Sequence, residues 1–171
     1  MVKKLLEKWR AWRFRYTPLV EVSISKERLL HNLHFFQKSN PGCAVAPVLK
    51  SNAYGHGLSL VAKIVDREKI PFIVVDSYHE AMILRNEGIR SPIVIIGYTP
   101  LTNILENKLV SVAFTIVSFE QLEAISSSLT RPAEVHIKID TGMHRQGILI
   151  EDTGRATDLI RNNTSIQVAG L

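Results

Sequence analysis

The sequence predicts an α/β fold built on a parallel sheet. Short apolar runs rich in valine and isoleucine recur along the chain. Stretches with helical hydrophobic spacing separate them. That alternation marks βα units, in which helices cover a buried parallel sheet.

Residues 19–23 alternate, with Leu19, Glu21 and Ser23 opposite Val20 and Val22, and predict a first strand. Ser25 is placed to cap a helix to about residue 38, with Leu29, Leu33 and Phe36 on one face. Residues 43–50 predict an apolar strand that ends on Lys50. A helix over 58–69 and a strand over 72–76 follow. The next helix, 80–86, stops at Gly88. Residues 92–97 predict a strand and 103–108 a short helix. After a strand over 112–116, Ser118 can cap a helix to residue 129. Residues 134–140 predict a strand, 153–161 a helix, and 167–171 open another strand. An eight-stranded barrel takes about 250 residues, and the chain has 171. The apolar ending Val168-Ala169-Gly170-Leu171 favours an incomplete TIM (β/α)8 barrel, with about six of eight βα units, over a smaller open sheet. Such an unclosed barrel uncovers strand edges and apolar interior, so association or poor solubility is expected of it in isolation.

Composition narrows the function classes. The net charge is +5. Lys3, Lys4, Lys8, Arg10, Arg13 and Arg15 against Glu7 account for all of it, and the remainder is neutral. The body therefore carries no global nucleic-acid footprint. Residues 1–18 read as a basic amphipathic extension, with Val2, Leu5, Leu6, Trp9 and Trp12 at helical spacing. Packing of the tryptophans on the body or a partner is the favoured reading, and a helix lying on an anionic membrane is the alternative. No apolar run reaches the ~18–20 residues that span a bilayer. The single cysteine, Cys43, reads as a buried strand thiol and fits a reducing, cytoplasmic setting.

Two clusters carry chemistry, each at a strand's C-terminal end, where parallel α/β folds place their sites. The first is Lys50-Ser51-Asn52-Ala53-Tyr54-Gly55-His56-Gly57. A desolvated lysine there can act as a nucleophilic amine and form a Schiff base with an aldehyde. Gly55, Gly57 and the helix that opens at Leu58 can receive a phosphate. The second is Lys138-Ile139-Asp140-Thr141-Gly142-Met143-His144-Arg145-Gln146-Gly147. Arg145 can bind a carboxylate or phenolic oxygen, and Asp140 and Thr141 can pin the turn around Gly142. The bland readings are a solvated loop lysine and a charged turn. His56 reads as turn structure, and His31 and His34 as surface residues. No histidine–carboxylate spacing suggests a metal.

Together the two clusters resemble the cofactor-lysine motif and second signature of alanine racemases. Residues 19–32, with Glu21 and His31-Asn32, resemble that family's opening segment. The resemblance covers about residues 19 to 171, which makes this span a racemase-like barrel domain. It implies pyridoxal 5'-phosphate as cofactor and interconversion of L- and D-alanine, supplying D-alanine for peptidoglycan. By resemblance Lys50 is the cofactor lysine and one catalytic base, and Tyr54 bonds the cofactor phosphate. Arg145 lies near the phenolic oxygen and substrate carboxylate. Lys138 matches a lysine often carbamylated in the family, where it orients the arginine; the alternative is an ordinary strand lysine. The family's second base is a tyrosine of a C-terminal β domain in the partner subunit. That domain and the last barrel strands are absent from these residues, so a homodimer is expected of the longer form and independent racemisation is not expected of this piece. A non-catalytic pyridoxal-phosphate carrier is the second reading. A degenerate fragment and a decarboxylase of the same barrel fold follow.

Overall fold

The computed structural model describes residues 19–171. The extension read over residues 1–18 lies outside the described residues. Helix α1 spans Lys26–Ser39, and Ser25 caps it by accepting from Arg28 N at 3.3 Å. A five-residue turn, α2 (Lys50–Tyr54), and helix α3 (Leu58–Val65) precede strand β1 (Ile73–Val75). Then come α4 (Tyr78–Asn86), β2 (Ile93–Ile95), α5 (Leu101–Leu105), β3 (Val112–Ile116) and α6 (Phe119–Ser128). Strands β4 (Ala133–Ile137), β5 (Ile139–Asp140) and β6 (Ile148–Leu149), helix α7 (Thr153–Arg161) and strand β7 (Ile166–Gly170) complete the order.

The main sheet runs β1-β2-β3-β4-β7, every pair parallel. Val48 forms an isolated parallel bridge with Val74, so the chain before Lys50 lies beside β1. These are consecutive βα units in chain order, the wall of an α/β barrel. Side chains alternate across the strands. Ile73, Val75, Ile93, Ile95, Phe114 and Val135 face the helices and are buried with Leu84, Leu122 and Ile125. Each such side chain contributes ~1.5–3 kcal/mol of apolar burial. Ser118 Oγ accepts from Gln121 N at 3.2 Å and caps α6. Ser118→Ala should lower stability by about 1 kcal/mol, read as a shift of the urea midpoint.

Five expectations change. Residues 19–23 form no strand; Leu19, Val20 and Val22 are 96%, 78% and 72% exposed, so no apolar face is buried to hold one. The run 43–50 shrinks to the Val48 bridge, because the chain turns at Lys50 instead of extending past β1. Phe36 faces solvent on α1, packing edge-on against Phe35 rather than into the core, and Cys43 is exposed. The strand 134–140 breaks at Lys138: β4 pairs with β3 and β7, whereas β5 pairs with β6. None of the helices among the described residues is long and apolar enough to cross a membrane.

Candidate functional site

Residues 47–49 are tied to β1 by Val74 N donating to Pro47 O at 2.9 Å and Leu49 N donating to Val74 O at 2.7 Å. Lys50 therefore leaves the C-terminal edge of the sheet. The chain then winds left-handed: Ser51, Asn52, Ala53 and Tyr54 have φ of 54°, 57°, 53° and 53°. Each non-glycine residue in this region costs roughly 1–2 kcal/mol. Specific bonds hold the turn against that cost. Ala53 N donates to Leu49 O at 2.8 Å, and Gly55 N and Gly57 N donate to Asn52 O at 3.1 and 3.0 Å. His56 Nδ1 donates to Ala53 O at 2.8 Å, which makes His56 part of the turn. Asn52 Oδ1 accepts from Leu58 N at 2.8 Å. The first N–H of α3, expected to be open for a phosphate, is thus already capped.

The second cluster sits on the same edge. Lys138 N donates to Ile116 O at 3.0 Å and Lys138 O accepts from Ile148 N at 2.7 Å, so the lysine is anchored between β4 and β5. Its Nζ donates to Gln146 Oε1 at 3.4 Å. Asp140 is buried, and its Oδ1 accepts from Gly142 N and His144 N, both at 3.0 Å. That carboxylate pins the loop that presents Arg145 and Gln146. The Gly142 and His144 amides hold the Asp140 carboxyl below the usual carboxylate range. A depressed folded value means the stabilisation is present above the unfolded value of about 3.9 and is lost as pH falls through the folded one. The urea-midpoint gap between the parent and Asp140→Asn should therefore hold steady above about pH 5 and narrow below about pH 4. A gap unchanged to about pH 2 would contradict this assignment.

Lys50, Lys138, Arg145, Gln146, Asp76, Ile96, Gly97 and Tyr98 line one cavity of about 300 Å³. Three cations and one carboxylate face it. An adjoining cavity of about 440 Å³ shares Arg145 and Gln146 and adds Asp140, His144 and Ser118. Gly97 brings β1 and β2 together at the floor: a Cβ there would lie 2.2 Å from Asp76 O. Among the described residues, the Lys50 Nζ makes no hydrogen bond or ion pair. Tyr54 is 61% exposed and lies outside the cavity lining. No group of three or more His, Cys, Asp or Glu among the described residues is arranged to hold a metal.

Sequence reasoning missed Asp76 and Glu80, gave Gln146 no role within the second cluster, and found nothing to single out Tyr98 near its strand end. Glu80 Oε1 accepts from Asn52 N at 3.1 Å and Oε2 from Asp76 N at 3.0 Å. The one available signal was Ser77-Tyr78-His79-Glu80, the pattern of a capping box.

A parallel βα wall with a lysine-bearing cavity at its C-terminal edge defines a barrel-type α/β protein with an amine-centred site. The family described as alanine racemase, N-terminal domain, matches residues 24–171. The chain belongs to that family. It is 36% identical over 132 residues to alanine racemase 1 of Caldanaerobacter subterraneus subsp. tengcongensis, covering 75% of this chain and 34% of that protein. It is 34% identical over 148 residues to a serine/alanine racemase of Enterococcus gallinarum, covering 84% and 21%. The structure of alanine racemase from Clostridium difficile 630 superposes with a TM-score of 0.75 at 31% identity, covering 84% of this chain and 39% of that one. The chain spans about a third of the length of the first curated relatives it matches.

Proposed function

We propose that these residues form the cofactor-lysine half of a pyridoxal-phosphate-dependent amino-acid racemase acting on alanine. Residues 19–171 serve as its barrel portion, and residues 1–18 as an appended extension. The observation that carries the reading is the convergence of Lys50, Lys138 and Arg145 on one cavity. The donor set suits the cofactor: a free amine for an aldehyde, and an excess of cations over the single Asp76 carboxylate for an anionic ligand. Bound pyridoxal phosphate draws electron density from the α-carbon of an attached amino acid, which makes its proton removable.

The chain's own residues divide the remaining work. Lys50 holds the cofactor and moves a proton at one face of the α-carbon. Arg145 orients the substrate carboxylate or the phenolic oxygen with its planar fork. Lys138, steadied by Gln146, adds positive charge beside Arg145; carbamylation would reverse that charge and pair the two. Tyr54, on the left-handed turn after Lys50, would bond the cofactor phosphate. A second base for the opposite face, supplied by a partner subunit, would complete the racemisation. Homodimerisation, a cytoplasmic location and a role in D-alanine supply for peptidoglycan belong to the same proposal.

The relatives' names, racemases of alanine and of serine, support this reading over a non-catalytic cofactor carrier. The test is borohydride reduction after mixing with pyridoxal phosphate, mapped by mass spectrometry, followed by coupled detection of D-alanine from L-alanine in the chain joined to the remaining part of an alanine racemase. Label on Lys50 with D-alanine production is expected. Label without turnover would favour the carrier, and no label at Lys50 would overturn both.

A further inference from the structure

We propose that Glu80 is a positioning residue for Lys50, fastening the left-handed turn after Lys50 to the end of β1 and so aiming the amine into the cavity. The proposal rests on the cofactor reading of Lys50. Glu80 is the third residue of α4, and Ser77 Oγ accepts from Glu80 N at 3.2 Å. In a capping box the glutamate would return to the backbone N–H of the capping residue. Here its carboxylate reaches past Ser77, taking Asp76 N with one oxygen and Asn52 N with the other. Asn52 stands two residues after Lys50, inside the strained turn.

The βα unit after next, β3–α6, repeats this geometry with a different side chain. Gln121, the third residue of α6, accepts from Val117 N at 2.9 Å and donates to Thr99 O at 2.9 Å. An amide suits that place, because it must accept one bond and donate the other. The Glu80 position faces two N–H groups, which only a carboxylate can receive together. Both partners of Glu80 flank the cavity: Asp76 lines it, and Asn52 follows Lys50.

Glu80→Gln leaves one of the two N–H groups facing an NH₂. In the purified 171-residue chain without cofactor, amide exchange at Asn52 and Asp76 should quicken while the interior of α6 keeps its protection. The rate of borohydride-trapped labelling of Lys50 by pyridoxal phosphate should fall about tenfold, the scale of one lost bond to a charged group. Adding Ser51→Gly, which removes the left-handed penalty at Ser51, should recover most of that rate. Loss of an α4 cap alone would not be rescued there. If Glu80→Gln also loses protection in α6, Glu80→Asp serves instead: it keeps a carboxylate in the first turn of α4 but is one methylene short of spanning both amides. Parental labelling with protected Asn52 and Asp76, or failure of Ser51→Gly to rescue, overturns the proposal. Absence of label in the parent overturns the cofactor reading instead, and the exchange rates then decide the fastening by themselves.

Discussion

Lys50→Ala should abolish trapped labelling by pyridoxal phosphate and leave the fold intact. The cavity holds two amines, so the experiment also decides between them. Lys138 Nζ is engaged with Gln146 Oε1, and its backbone is bonded on both sides, to Ile116 O and Ile148 N. The Lys50 Nζ has no hydrogen-bond partner among the described residues, and its turn begins at the sheet edge. A lysine whose Nζ is free of hydrogen bonds can offer its amine to an aldehyde without first breaking one, which makes it the better-placed nucleophile. Removing it should cost at least a factor of ~10² in any proton-transfer step at the α-carbon. The stability cost should be small, within about 0.5 kcal/mol, because no buried contact network is broken. Equal labelling of the Lys50→Ala chain, with the adduct mapped to Lys138, would sink the assignment.

Much of this architecture is legible from local chemistry. The runs at 112–116 and 153–161 become β3 and α7 with the expected bounds, and Ser25 and Ser118 cap the helices they were expected to cap. These features depend on neighbours within a few residues, which periodicity and capping rules capture. The turn after Lys50 does not. Four consecutive left-handed non-glycine residues contradict local propensity, and the bond that ties Asn52 to Glu80 spans 28 residues of sequence. Tertiary bonds pay for that conformation, so no local rule foresees it. The break at Lys138 is hidden for a related reason. Residues 134–140 read as one continuous strand, but β5 leaves the main sheet to pair with β6, a two-residue strand too short to show periodicity. Lys50, Lys138 and Arg145 were visible as residue types at strand ends. The roles of Asp76, Tyr98 and Gln146 were not, because nothing but the fold brings them to the same cavity.

Gly147→Ala should be among the most damaging single-methyl additions in the chain. Gly147 has φ of +137°, a conformation that L side chains rarely adopt. A Cβ there would lie 2.4 Å from Asp140 N and 2.8 Å from Ile139 C, both backbone atoms of β5. Neither side can yield cheaply: Gly147 N donates to Val117 O and Ile148 N to Lys138 O, each at 2.7 Å. Strain and clash act together, so a loss above about 4 kcal/mol is expected. Two other glycines separate the contributions. Gly142 has φ of +128° but open space around it, so Gly142→Ala carries strain alone, roughly 1–3 kcal/mol. Gly154 lies in α7 with open space and no positive φ, so Gly154→Ala should stabilise by about 0.5–1 kcal/mol. Urea unfolding of the three variants gives the order directly. Equal losses for Gly147→Ala and Gly142→Ala would mean that the close approach to β5 contributes nothing. The expected order instead makes Gly147 the position that lets the loop carrying Arg145 and Gln146 close onto Asp140, and the cavity opposite Lys50 depends on that closure.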